Sequence, residues 1–218
     1  MKKRSFAAGL CFVLFLLLIV VVKTVDVAAI GPENTSVGLS KLNGAVHALT
    51  GVHMALYEIT DWLGYLAILV ALVFAGTGLV QWIRRRSLRR VDQEILALAC
   101  LYIVTVCLYV LFEVLIVNRR PVLMPGESVP EASFPSSHTM LVCVIMGSTI
   151  MLLGKYVRSP GLCRTLQAAC AVILVVTFAG RLVSGVHWFT DILGGILISL
   201  SLLLAFSAAI GKGAHSRT

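Results

Sequence analysis

Charged side chains are scarce in this chain of 218 residues. Lys, Arg, Asp and Glu together make up 13% of the sequence, whereas apolar residues make up 59%. Soluble domains carry roughly 25% charged residues. The composition therefore excludes an ordinary soluble domain and indicates an integral membrane protein.

Acidic residues are the scarcer charged class, with 10 Asp and Glu against 18 Lys and Arg and a formal net charge of +8. Such an excess can indicate nucleic-acid binding. Here, however, the basic residues lie between apolar runs and are not interleaved with solvent-facing aromatic residues, which is the pattern of a topology signal. No nucleic-acid partner is expected.

The six cysteines lie where neither a disulfide nor a zinc site is expected. Five of them fall within apolar runs, and Cys163 falls in a short basic connection. None is placed in an oxidising exterior, and none has zinc-ligand spacing.

Six apolar runs are long enough, or nearly so, to cross a bilayer, which takes roughly 20 residues. They lie at residues 5–22, 62–83, 95–117, 136–154, 164–184 and 188–210. The first could instead be a signal peptide, but its length favours a retained helix. The sequence predicts an all-α integral membrane protein, with six transmembrane helices in a single domain over residues 1–218.

The distribution of basic residues predicts the orientation. Thirteen of the 18 Lys and Arg residues fall at the two termini and in the second and fourth connections. The other five lie on the opposite side: Lys23, Lys41, Arg119, Arg120 and Arg181. By the positive-inside rule, both termini of this protein of the cytoplasmic membrane are expected in the cytoplasm. The side with only five basic residues is expected to face outward.

The longest segment between the predicted spans covers residues 31–61. From Val37 to Tyr57 apolar residues recur every three or four positions, which predicts an amphipathic helix lying on the outer membrane surface. Thr60 and Asp61 then offer an N-cap to the second span.

Two stretches at the predicted outer ends of the spans carry unusual polar residues. Pro135, Ser136, Ser137 and His138 lie at the start of the fourth span and supply a fixed φ, hydroxyl groups and free backbone N–H groups. The other stretch covers residues 181–191.

In that stretch, Arg181 stands six residues before His187, which stands four before Asp191. If the chain is helical from Trp188 onward, the Asp191 carboxylate can accept the Nδ1 proton of His187 and leave Nε2 free as a nucleophile. Interfacial anchoring and capping remain the alternative for this stretch taken alone.

Together these residues resemble the three signatures of the type 2 phosphatidic acid phosphatase superfamily of membrane phosphatases. The signatures are Lys-x6-Arg-Pro, Pro-Ser-Gly-His and Ser-Arg-x5-His-x3-Asp. This chain has Glu113-x6-Arg120-Pro121, Pro135-Ser136-Ser137-His138 and Gly180-Arg181-x5-His187-x3-Asp191. It departs from them at Glu113, Ser137 and Gly180, and only Glu113 reverses a charge.

The resemblance implies a phosphohistidine mechanism. His187 attacks phosphorus, Asp191 holds its ring, and His138 gives a proton to the leaving oxygen and takes one from water. Arg120, Arg181, Ser136, Ser137 and the N–H groups at the start of the fourth span bind the phosphoryl oxygens. Two arginines already supply positive charge, so no metal and no other cofactor is expected; a zinc site of His138, His187 and Asp191 is the alternative.

Glu113 lies deep in the third span, where a carboxylate is costly unless it is paired or protonated. One possibility is that it pairs with Arg120 on the same helix face, while Arg119 supplies the missing cation. The other is that it meets a positive or hydroxyl-bearing part of the substrate head group.

The function indicated is a lipid phosphatase at the outer membrane face, whose substrate chain stays among the membrane lipids. Undecaprenyl diphosphate, phosphatidylglycerophosphate and phosphatidate are the candidates that the resemblance implies. A lipid phosphotransferase and a degenerate, non-catalytic lipid-phosphate binder are the alternatives. Oligomeric state is not predicted.

Overall fold

The structure, a computed structural model, describes residues 2–124 and 126–215, and these fold into helices joined by irregular connections. Seven α-helices were found there: α1 Lys2–Thr24, α2 Ser40–Thr50, α3 Met54–Arg85, α4 Gln93–Val114, α5 Ser137–Tyr156, α6 Pro160–Val183 and α7 Phe189–His215. All but α2 are long and apolar enough to cross a membrane. The prediction of an all-α protein with six membrane-spanning helices is confirmed.

The region before the second span differs from its prediction. The helix predicted over residues 37–57 ends at Thr50, because Gly51 adopts φ +67° and breaks it. Helix α3 then begins at Met54, eight residues before the predicted span. The predicted N-cap is wrong: Thr60 lies inside α3, where its hydroxyl donates to the carbonyls of Leu56 and Tyr57.

The centre of the bundle is α5, whose neighbours α3, α6 and α7 cover most of its surface. Val142, Val144 and Met146 of α5 are completely buried. Helix α1 packs along α7, where the Ser201 hydroxyl donates to the carbonyl of Ala8. Apolar side chains therefore fill most of the interior.

One end of the bundle carries the basic connection between α3 and α4. The Asp92 carboxylate accepts hydrogen bonds from Arg85 at 2.9 Å and Gln81 at 3.0 Å. Burial alone would raise the pKa of Asp92, but these donors, with Lys155 nearby, hold the pKa below its usual value. Arg4 binds Ser207 between α1 and α7, near the start of α1 and towards the end of α7.

Candidate active site

The turn between α6 and α7 is held by a close backbone contact with the connection between α2 and α3. Gly185 has φ +70°, and a Cβ atom on it would lie 1.9 Å from the carbonyl oxygen of Gly51. The N–H of His53 donates to the carbonyl of Ser184 at 3.0 Å. Only glycine fits at position 185, so the segment that carries His187 has a defined position.

His187 and Asp191 are both buried and adjacent, but they do not form the predicted hydrogen bond. Nδ1 of His187 lies 3.7 Å from Oδ2 of Asp191, which is beyond hydrogen-bonding distance. The reason is that α7 begins at Phe189, so His187 precedes the helix. Oδ2 of Asp191 instead accepts the backbone N–H of Trp188 at 2.9 Å.

Polar residues outside the signatures fix the start of α7. The Asn43 side chain of α2 exchanges hydrogen bonds with Thr190, accepting from its N–H and donating to its hydroxyl. Asn118 lies 3.4 Å from Oδ1 of Asp191, and the Trp188 indole donates to the carbonyl of Arg119 at 2.7 Å. The sequence analysis missed Asn43 and Asn118. Both side chains are buried, which marks them as structurally important, but burial cannot be read from the sequence.

The start of α5 lies against the start of α7. The backbone N–H of Ser136 donates to the carbonyl of Asp191 at 3.0 Å. The Ser136 hydroxyl is the N-cap of α5 and accepts from the N–H and the hydroxyl of Thr139. Ser137, one residue further, lines the same cavity as His138.

The two predicted arginines flank one aromatic ring. The guanidinium carbons of Arg181 and Arg120 lie 4.7 Å and 6.0 Å from the centre of the Tyr57 ring. Arg181 is completely buried and Arg120 is 7% exposed. Tyr57 thus holds two cations, one from α6 and one from the connection between α4 and α5, near a common point.

The structure contradicts the expected pairing of Glu113 with Arg120. Helix α4 ends at Val114, so Arg120 does not lie on the same helix face as Glu113. Nε of Arg120 pairs with Glu131 at 2.9 Å. Arg119 donates to the carbonyl of Pro130 at 2.6 Å, so its guanidinium supports the connection between α4 and α5. Glu113 does line the cavity beside His138, and its contact with a head group stays a prediction.

Asp61 is, with Glu131, one of two acidic residues at the site that sequence reasoning did not select. Its Oδ1 lies 3.1 Å from Nε2 of His138 and also pairs with Arg181. Because α3 begins at Met54, Asp61 is two turns inside a helix instead of at its start. Because the helix begins earlier than predicted, Asp61 does not cap it, and its side chain contacts His138 and Arg181.

Several nitrogen atoms at this site are buried without a hydrogen-bond partner among the described residues. They are Nη1 of Arg120, Nε and Nη1 of Arg181, Nδ1 of His138 and both ring nitrogens of His187. Buried polar atoms are nearly always paired in native proteins. A ligand with several anionic oxygens would accept hydrogen bonds from the guanidinium N–H groups that do not contact Glu131 or Asp61.

Burial lowers the pKa of His187 well below its ordinary value, and the positive charges of Arg120 and Arg181 lower it further. The imidazole is therefore neutral near pH 7. A neutral ring keeps the lone pair that a nucleophilic histidine requires.

His187 lines a small cavity that shares Glu113 and Ser137 with a larger, polar cavity. The polar cavity has a volume of about 390 Å³ and lies beside Arg120 and His138. Its lining includes Tyr57, Glu113, Arg120, Ser137 and His138. A largely apolar groove of about 210 Å³ between α3, α4 and α5 shares Tyr109, Ser137 and His138 with it. The groove is also lined by Tyr65, Ile68 and Val106, whose side chains are exposed on the surface of the bundle.

Comparison with known proteins identifies a family for this chain. The sequence model of the PAP2 superfamily matches residues 94–213. No curated protein sequence matches the chain significantly.

Two solved structures are similar. One is a transmembrane PAP2-type phosphatidylglycerolphosphate phosphatase from Bacillus subtilis, with 20% identity and a TM-score of 0.63 over 96% of this chain and 97% of that one. The other is Aquifex aeolicus LpxE, with 19% identity and a TM-score of 0.46 over 77% and 95%. The family match covers more than half of the chain, and the first of these structures shares its fold. The chain belongs to the PAP2 superfamily and is a multi-pass membrane phosphatase of that superfamily.

Proposed function

We propose that this protein is a metal-independent lipid phosphatase that hydrolyses a lipid phosphomonoester or diphosphate through a phosphohistidine at His187. The observation that carries the proposal is a grouping of two buried arginines and two histidines, in which Arg120 and Arg181 flank Tyr57, Arg181 shares Asp61 with His138, and the charges of both arginines act on His187. They come from three separate parts of the chain. Family membership sets the reaction class, and the residues assign the steps.

In the first step, neutral His187 attacks phosphorus through Nε2. A P–N bond forms while the P–O bond to the lipid breaks, and the leaving oxygen takes a proton from His138. Arg120 and Arg181 bind the equatorial oxygens, where charge is spread in the transition state. Asp191, 3.7 Å from Nδ1, stabilises the positive charge that the His187 ring acquires.

In the second step, water attacks the phosphohistidine. It gives one proton to His138, the P–N bond breaks, and inorganic phosphate leaves with His187 returned to its neutral form. The two guanidinium groups supply the positive charge that a metal ion supplies in other phosphatases. Neither step requires a redox reaction.

A lipid substrate is favoured because the polar cavity lies next to the apolar groove and shares Tyr109, Ser137 and His138 with it. The phosphorylated head group would lie beside Arg120 and His138 while its acyl or prenyl chain follows the groove between α3 and α4. The neighbour from Bacillus subtilis is a phosphatase for phosphatidylglycerolphosphate. Phosphatidylglycerophosphate, phosphatidate and undecaprenyl diphosphate are the substrates we propose to compare.

The positive-inside rule supports a site on the extracytoplasmic side of the cytoplasmic membrane. Arg4, Arg85 and Lys155 lie towards the end of the bundle opposite His138 and His187. With that basic end in the cytoplasm, the site faces outward.

Phosphate release from these lipids by the purified protein tests the proposal, with His187→Ala as the variant. His53→Ala is the matched control, because the His53 side chain is exposed and does not line the cavity. We expect His187→Ala to lose at least about 10³-fold in activity. We expect His53→Ala to retain activity and a chelator to leave the wild type unchanged.

Unchanged turnover in His187→Ala would overturn the assignment of the nucleophile. With a lipid that carries a radiolabelled phosphate, a phosphotransferase would take the labelled phosphoryl group onto the protein and pass it to a lipid or sugar acceptor when one is added, without releasing inorganic phosphate. A non-catalytic binder would show neither labelling nor release.

A further inference from the structure

Asp61 is a half-buried carboxylate at the site that the steps above do not use. It belongs to α3, whereas the signature residues belong to α4, α5, α6, α7 and their connections. Its Oδ1 lies 3.1 Å from Nε2 of His138, and the same oxygen pairs with Nη2 of Arg181. One carboxylate thus contacts both a residue that binds phosphate and the residue that transfers the proton.

Glycines at two helix contacts allow Asp61 to approach. A Cβ atom on Gly180 would lie 2.5 Å from Cγ2 of Thr60, the residue before Asp61. A Cβ atom on Gly64, three residues after Asp61, would lie 3.0 Å from Cδ2 of the His138 ring. Gly180 therefore lets α3 approach α6, and Gly64 leaves space for the imidazole.

This packing gives a physical reason for one departure from the family signature. The signature has serine where this chain has Gly180. A serine side chain would meet Thr60 and separate α3 from α6 at the level of Asp61. The glycine and the inward carboxylate are thus parts of one local arrangement.

We infer that Asp61 is a positioning residue for His138, holding the Nε2–H so that Nδ1 is the nitrogen that exchanges a proton with the substrate. This inference rests on the proposed function of His138. A carboxylate beside one imidazole nitrogen fixes both the tautomer and the direction of the ring. Nδ1 of His138 is buried without a partner among the described residues, as a nitrogen reserved for the substrate would be.

The contact with Arg181 completes the role. Arg181 uses Nη2 for Asp61, and its Nε and Nη1 have no partner in the described part of the chain. Asp61 thus holds the guanidinium in place while leaving two donors for phosphoryl oxygens. Together with Asp191 beside His187, it gives each catalytic histidine its own carboxylate.

The test compares Asp61→Asn with Glu58→Gln, which makes the same chemical change one turn earlier on α3 at an exposed residue. We expect kcat to fall by about 100-fold or more in Asp61→Asn, the lower end of what general acid–base catalysis contributes. The alkaline limb of its pH profile should move to lower pH, because the imidazolium of His138 loses a stabilising carboxylate. Glu58→Gln should match the wild type in both measurements.

Other charged groups near His138 do not change in this comparison. They are Arg181 on α6, Arg120 and Glu131 in the connection before α5, His187 in the connection after α6, and Tyr57, Tyr109 and Glu113 on α3 and α4. A variant that changes only KM, with the pH profile of the wild type, would reduce Asp61 to a structural partner of Arg181 and overturn the inference.

A measurement on the wild type keeps the inference testable if Asp61→Asn does not fold. Nitrogen-15 NMR of labelled histidines, with His138→Gln to identify the signal, should find the proton of neutral His138 on Nε2. A proton on Nδ1 would overturn the inference, since a bare Nε2 cannot donate to a carboxylate. If the wild type releases no phosphate or His187→Ala retains full activity, the proposed function fails instead.

Discussion

At the residue scale, the site depends on groups whose ordinary chemistry is changed by burial. His187 is 4% exposed and near two guanidinium groups, and it remains neutral where an exposed histidine begins to take up a proton. In the proposed mechanism, the same burial makes Arg120 and Arg181 effective, because their charges would act on phosphate in a medium that screens them weakly. Reactivity here is a property of the surroundings of each side chain.

The lowered pKa of His187 predicts how stability depends on pH. Below about pH 6.5 the unfolded chain protonates this residue while the folded protein does not, so the folded state loses stability as pH falls. Replacing His187 with Asn should remove up to about 1.4 kcal/mol of that loss per pH unit. Thermal unfolding in detergent between pH 7.5 and pH 5 measures the slope.

His53→Asn serves as the control for this slope, because His53 is exposed. It should follow the wild type at every pH. A His187→Asn slope equal to that of the wild type would mean that His187 is protonated equally in the folded and unfolded states.

At the element scale, the connections between helices do the positioning. Residues 51–53, between α2 and α3, pack on residues 184–185, between α6 and α7, through a backbone hydrogen bond and the Gly51–Gly185 contact. Helix α2 adds Asn43, which binds the start of α7. The short helix between the first two spans is therefore part of the support of the active site.

Replacing Gly185 with Ala should destabilise the protein and reduce phosphatase activity. The new Cβ atom would meet the carbonyl of Gly51, and φ +70° is strained for alanine. The strain alone costs about 1–3 kcal/mol. Thermal unfolding and phosphate release measure the two effects.

The matched control is Gly154→Ala, since Gly154 lies inside α5 and a Cβ atom there meets nothing within 4 Å. It should be neutral or gain up to about 1 kcal/mol. Equal stability of the two variants would show that the turn adjusts to a side chain at position 185.

At the scale of the whole molecule, the bundle joins a polar cavity at one end to an apolar groove between its helices. The groove is lined by exposed side chains of α3 and α4, so a lipid chain could enter from the side while its head group reaches His138. An enzyme built in this way need not lift its substrate out of the membrane.

Replacing Ile68 with Trp should obstruct the groove and lower kcat/KM for long-chain lipid phosphates by roughly 10-fold, equivalent to about 1.4 kcal/mol. A short-chain, water-soluble phosphate should be hydrolysed as by the wild type. Leu72→Trp, one turn along α3 and outside the groove, is the control and should leave both substrates unaffected. Equal losses on both substrates in Ile68→Trp would argue against lateral entry.

The sequence alone determined the class of protein, its six membrane-spanning helices and the family. The evidence for them is local in the sequence, and local patterns can be recognised without a structure. They are the runs of about 20 apolar residues and the spacings Arg120-Pro121, Pro135 to His138 and Arg181 to Asp191.

The tertiary structure decided which charged residues lie close together. Asp61, the cap predicted at the wrong helix boundary, joins His138 and Arg181 across 77 and 120 residues, and Arg120 pairs with Glu131 in place of Glu113. Which residues become partners depends on where each helix begins and ends and on how closely glycines allow two helices to approach. The spacing of the partner residues along the sequence contains neither kind of information.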